Sequence, residues 1–267
     1  MPKLAIFAAL ASAVLSISAA RADIDAFRSY SGEAGPVDNS AYADFLEKYV
    51  EPDATGIHLV AYAAVTDPDK AALDGYVASL EALDPTRLTR DEAFAYWANL
   101  YNAVTLKLIL DNYPLGSIRE LKSGLISIGP WGRDLAEVNG VVLTLNDIEH
   151  EILRAFWDEP RVHYAVNCAS MGCPNLMAKP WTGASLDNDL NAAARAFVNH
   201  PRGVSVENGR VSASTIYKWF RKDFGGSEAE VLDHIRQYAD DDLKAALDGL
   251  TSIRSYDYDW SLNEVKR

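Results

Sequence analysis

The stretch that decides the fold runs from Thr89 to Asn112, TRDEAFAYWANLYNAVTLKLILDN. Thr89 and Glu92 form a capping box at its start. Phe94, Trp97, Tyr101, Val104 and Leu108 then recur at helical spacing, and Leu100, Leu106, Ile109 and Leu110 fall on the remaining sides. Lys107 is the only charge in the middle, so the segment predicts a helix buried nearly all round, the centre of the core. Asn99 and Asn102 lie in that buried surface at i, i+3 spacing. A buried amide costs free energy unless it is paired, so either neighbouring backbone satisfies these two or they orient a partner in a polar pocket.

Outward from this helix the pattern alternates helices with hairpins. Upstream, residues 23–39 read as a loose lead-in, Tyr42, Phe45, Leu46 and Tyr49 share one face of a short helix, and Asp67-Pro68 starts another. Downstream, Leu135 to Leu145 reads as a hairpin around Asn139-Gly140, the pair a type I′ turn requires. A helix capped by Thr144 follows and carries Glu149 near its apolar side. His150 and Arg154 lie opposite Ile148 and Ile152, as a solvated face would.

Arg161-Val-His-Tyr-Ala-Val-Asn-Cys168 alternates as a strand, with Arg161, His163, Ala165 and Asn167 on one face and Cys168 on the other. A helix from Ser185 to Asn199, a second hairpin around Asn208-Gly209, helical patches at 214–223 and 228–238, and an extended end from Ile253 to Trp260 complete the chain. Helices outnumber strands. The expected class is α+β: a helix-rich single domain over residues 40–267, with the buried central helix packed on a small antiparallel sheet.

At the N-terminus, Lys3, an apolar run from Leu4 to Ile17 and Ala20-Arg21-Ala22 have the form of a cleaved secretory signal. The run holds about 14 residues, short of the roughly 20 that span a bilayer. The expectation is a protein exported to the periplasm or beyond, with no stable membrane span after cleavage near Ala22. The formal charge of −13 repels nucleic acid and anionic lipid, so a polyanion-binding role is disfavoured.

Four blocks carry a resemblance: Tyr96-Trp-Ala-Asn-Leu-Tyr-Asn-Ala103, Asp147-Ile-Glu-His-Glu-Ile-Leu-Arg154, His163-Tyr-Ala-Val-Asn-Cys-Ala-Ser-Met-Gly-Cys-Pro174 and Lys218-Trp-Phe-Arg-Lys-Asp-Phe-Gly225. In this order, over about residues 93–225, they resemble the domain of unknown function numbered 547, a family of bacterial exported proteins and of plants. The resemblance implies no settled activity. A buried central helix followed by a histidine-bearing strand also resembles, remotely, the papain and transglutaminase architectures. Those begin the central helix with a cysteine; here Asn99 stands on that helix and no cysteine does, so thiol chemistry on it is excluded.

The only cysteines are Cys168 and Cys173. Their spacing admits a structural disulfide, a reactive thiol or two free buried thiols. As a nucleophile, Cys168 would need a base, and strand geometry puts His163 roughly 16 Å away on the opposite face; unless a bend after Asn167 re-aims the thiol, the base would be His150, His200 or His234. The preferred enzyme reading builds a pocket from His163, Asn99 and Glu149 under the loop 169–174, with His163 as general acid/base and Glu149 as orienting carboxylate. Asn102, Asn167 and Trp131 are candidate contacts for a small-molecule or peptide-like ligand, of which a cell-envelope amide is the working class. The alternative is a non-catalytic envelope module that binds a partner through Trp131 or the tail Tyr256 to Trp260. No metal-binding or phosphate-cradling motif and no nucleophile-elbow serine is present, so no cofactor is expected.

Overall fold

The computed structural model describes residues 24–122, 124 and 128–266; the expected export signal, residues 1–22, lies outside them. The elements in chain order are α1 (Ser40–Tyr49), β1 (Val50–Pro52), β2 (His58–Val60), α2 (Asp67–Glu81) and α3 (Arg90–Asn112). The hairpin β3 (Ala136–Val138) and β4 (Val141–Leu143) leads into a π-helical turn, Asp147–Leu153, which runs on as α4 (Arg154–Trp157). Then come α5 (Val162–Ala165), α6 (Leu186–Val198), β5 (Val204–Glu207), β6 (Arg210–Ser214), α7 (Ile216–Trp219), α8 (Glu228–Tyr238), α9 (Asp241–Ala246) and β7 (Ile253–Asp257). The class is α+β. Among the described residues no helix is long and apolar enough to cross a membrane.

Thr89 caps α3 by accepting from the Glu92 amide. From Glu92 to Ile109 every residue of the helix but Lys107 is buried, because α2, the π-turn and α6 close around it. Trp97, Tyr96 and Tyr101 are among the largest fully buried side chains. Burying an aromatic of this size contributes on the order of 2 to 3 kcal/mol.

Both expected hairpin turns form, with positive φ at Asn139, Gly140, Asn208 and Gly209, the conformation type I′ demands of both central residues. β5 and β6 are antiparallel, while β7 joins β6 in parallel, so the small sheet has one parallel edge.

The alternating segment 161–168 is a correction. It is not a strand: α5 is one helical turn, and the chain is extended only from Val166. Its periodicity has another origin. Val162, Ala165 and Val166 enter the apolar cluster around α3, whereas Tyr164 enters a second cluster with Phe197, Tyr217, Phe224, Val231 and Ile235. α5 lies on the seam between two cores, sending Val162 and Ala165 to one and Tyr164 to the other.

The C-terminal tail laces this seam to the rest. Asn263 accepts from Val60 and donates to Ala169, Met171 donates to Ser261, and Gly172 donates to Asp259, all backbone to backbone at 2.8 to 3.2 Å.

Candidate functional site

The π-turn, α5, the loop 167–174, the end of α7 and the tail converge on a cavity of about 390 Å³. Glu149, His150, His163, Cys168 and Cys173 supply its polar chemistry, and Trp131, Trp219, Phe220, Tyr258 and Trp260 its aromatic walls.

The π-turn sets the first part of this arrangement. Thr144 and Asp147 cap one another reciprocally, each side chain accepting from the other's amide. The wider winding that follows departs from 3.6 residues per turn, and such turns recur at functional sites. Here it carries both Glu149 and His150 to the cavity. The solvated face expected for His150 and Arg154 is therefore corrected: Arg154 donates from Nε and Nη2 to Asp223 at 2.6 and 2.9 Å, and from Nη1 to Nδ1 of His150 at 3.2 Å.

Asp223 also accepts from Nε2 of His163 at 2.7 Å. His163 is 3% exposed, its ring stacked 4.1 Å from Phe220, and its Nδ1 lies 4.0 Å from Oε1 of Glu149. Burial pushes the imidazole pKa down, and the bond to Asp223 only partly restores it. Burial raises that of Asp223, but the bonds from His163 and Arg154 outweigh it and hold this carboxyl well below the usual range. An ionised Asp223 thus fixes a neutral His163 with its free nitrogen towards Glu149. His150, desolvated and beside the Arg154 charge, is brought down to about 4.

Glu149 is pushed up to about 7, first by burial and then by the negative charge that Cys168 can carry, against a hydrogen bond from Tyr101. Cys168 moves the other way. Its half-buried thiol lies 2.9 Å from Sγ of Cys173, 3.1 Å from Oγ of Ser170 and 3.0 Å from the hydroxyl of Tyr258. Cys173 contributes most to lowering it to about 7, burial opposes, and Ser170 and Tyr258 assist. Burial and the adjacent Cys168 push the Cys173 thiol up. Both cysteines are free thiols, which corrects the structural-disulfide reading.

Asn102 and Asn167 position this site rather than line it, and Asn99 does neither. Asn99 donates to the carbonyl and accepts from the amide of Trp181; it is spent there and does not reach the cavity. Asn102 donates to Ala165 O and accepts from Asn167 N. Asn167 in turn donates to Pro174 O and accepts from Ala169 N, closing the cysteine loop on itself. Ala169 adopts φ +56°, uncommon without a glycine.

His163 and Cys168 thus face one cavity because the backbone turns between them. The other histidines lie apart: His58 meets Leu176 O, His234 meets Tyr164, and His200 accepts from Arg202 N in a local turn. Sequence reasoning missed Asp223 and the Tyr258 hydroxyl. Asp223 sits inside the quoted block Lys218–Gly225, which was the available signal. Among the described residues no three His, Cys, Asp or Glu side chains are grouped to hold a metal ion.

Residues 85–198 match a family model described as "Protein of unknown function, DUF547". The matched span holds Glu149, His163 and both cysteines, while Asp223, Trp219 and Tyr258 come from the chain beyond it. Neither the curated proteins nor the solved structures contain a match.

Proposed function

Starting from a chain whose residues 85–198 belong to the DUF547 family, we propose that the cavity is the active site of a thiol-dependent hydrolase or transferase acting on a peptide-like amide. The observation that carries this reading is that the half-buried Cys168 thiol shares one cavity with Glu149 and with His163, itself fixed by Asp223. Cys168 attacks the substrate carbonyl, the C–N bond breaks, and a thioester forms that water or a second nucleophile resolves.

Glu149 takes the thiol proton and returns it to the leaving amine. Burial raises the proton affinity of Glu149 while the neighbours of Cys168 lower that of the thiol, so the two are brought towards one another, as proton exchange between them requires. His163, with Asp223 and Arg154 behind it, faces Glu149 with its free Nδ1 at 4.0 Å, a lone pair turned towards the proton that Glu149 takes up. These roles exchange those expected from sequence, where the histidine was the base and the carboxylate its orienter. The aromatic walls suit the apolar part of an acyl group. With the N-terminal segment read as an export signal, the substrate class is an amide of the cell envelope.

Incubation with p-nitrophenyl acetate followed by mass spectrometry tests the reading. An acetyl group on Cys168 that forms and turns over is expected, with Glu149→Gln slowing turnover on the order of 100-fold. Full turnover by folded Cys168→Ala would overturn it. Ligand binding without turnover would favour the non-catalytic module, to which the half-exposed Trp219, 48% accessible at the cavity rim, could then contribute.

A further inference from the structure

Cys173 takes no acyl group in the chemistry above and serves there only to lower the Cys168 pKa, yet it lies as close to Cys168 as any group in the cavity. Its Sγ is 2.9 Å from Sγ of Cys168 and accepts from the Cys168 amide at 3.0 Å. A disulfide has S–S of about 2.05 Å, so less than about 1 Å of approach would join them. The loop between them is built for this proximity. Ala169 reverses the backbone at φ +56°, Cys173 N donates to Ser170 O at 3.0 Å, Arg202 holds Met171 O at 2.9 Å, and the tail binds Met171 and Gly172.

The two thiols are also unequal. Cys168 is partly accessible and Cys173 is buried, so an incoming molecule meets Cys168 first. The thiol that is exposed is the one whose thiolate forms readily, and the thiol behind it holds its proton. That order suits an attacking and a resolving cysteine.

We infer that Cys168 and Cys173 together form a dithiol–disulfide exchange site, taking small or peptide disulfides that fit the aromatic cavity. This activity shares Cys168 with acyl transfer but forms no acyl intermediate and adds Cys173 as the second sulfur. The Cys168 thiolate attacks one sulfur of R–S–S–R, the S–S bond breaks, and R–S⁻ leaves as R–SH with a proton. Cys173, losing its proton, attacks Sγ of the mixed disulfide and expels the second R–S⁻, which leaves protonated. The protein is oxidised by two electrons, the ligand is reduced to two thiols, and a Cys168–Cys173 bond closes.

The test uses 5,5′-dithiobis(2-nitrobenzoate) on the folded, reduced full chain, read by released thiolate and intact mass. Wild type should release about two equivalents per chain and keep no adduct, ending lighter by two hydrogens. Cys173→Ser should release about one equivalent and keep a stable adduct on Cys168; Cys173→Ala serves if the serine variant does not fold. At about pH 9 Cys173→Ser should still take an acetyl group on Cys168 from p-nitrophenyl acetate while failing to close the disulfide, so loss of acyl transfer and loss of exchange are told apart. A persistent adduct on wild-type Cys168, adducts on both cysteines, or no release from the folded chain would overturn the inference.

Discussion

The hydroxyl of Tyr258 meets the sulfur of Cys168 at 3.0 Å although the two are 90 positions apart in the chain. This contact exists because the tail is stitched, backbone to backbone, onto the loop that carries the thiol. The reactivity of a residue near the middle of the sequence is thereby set partly at its end.

Alkylation of Cys168 by iodoacetamide should rise with pH around a midpoint near 7, against about 8.5 for an ordinary cysteine. Cys173→Ala should move the midpoint up most, since that thiol is the largest cause of the depression, and Tyr258→Phe should move it up less. Equal midpoints in wild type and both variants would sink this account.

Gly172 offers a remote handle on the same sulfur. A Cβ there would lie 2.8 Å from the Asp259 amide nitrogen and 2.9 Å from Cγ of Tyr258. Backbone cannot yield as a side-chain tip does, so Gly172→Ala must push the tail away, at a cost of about 1 to 3 kcal/mol in urea unfolding. Because Tyr258 moves with the tail, the alkylation midpoint of Cys168 should rise as well. An unchanged midpoint in a destabilised variant would show that the tail does not tune the thiol.

Asn99 and Asn102 each hold one carbonyl and one amide of distant backbone. Truncation of either to alanine strands two buried groups and should cost about 2 to 4 kcal/mol. Only Asn102→Ala should also alter the alkylation rate of Cys168, since only Asn102 anchors Ala165 and Asn167. Equal effects of both variants on that rate would refute the division.

Glu149 makes stability depend on pH in a direction opposite to its neighbours. Its folded pKa, about 7, exceeds the unfolded value of about 4.3. The stabilisation from its bound proton is therefore complete below pH 4 and is lost as pH rises through 7, by roughly 4 kcal/mol. Asp223 and His163, both depressed, contribute most at high pH; the first loses its contribution as pH falls below about 4 and the second below about 6.5. Glu149→Gln should match wild type near pH 4 and exceed it at pH 8 in urea titrations. A gap constant across that range would contradict the assignment.

How much of this was legible in the sequence follows from what held each element in place. α3, both Asn-Gly hairpins and α8 obey local rules, capping, periodicity and turn chemistry, and form where those rules put them. The site obeys them less. A helical wheel misplaces His150 and Arg154 because the π-turn changes the angle per residue. Strand alternation misplaces His163 relative to Cys168 because residues 162–165 wind as one helical turn before the chain extends from Val166, so odd and even positions no longer mark opposite faces. Glu149, His163, Cys168 and Trp131 were all singled out and all reach the cavity, whereas Asn99 does not. Asp223 and the Tyr258 hydroxyl were out of reach, since each joins the site through contacts across 60 or more positions that no local pattern encodes.

The wide turn at Asp147–Leu153 bears on how such a chain can change over generations. Removing one codon there would let the coil tighten to ordinary pitch, with little harm to the fold, yet swing the carboxyl and imidazole before the gap by about 100° relative to Arg154 after it. Surface loops can gain or shed residues freely, but the length of this segment should be held fixed in any lineage that keeps this cavity, and its loss would mark descendants that retain the body without the site.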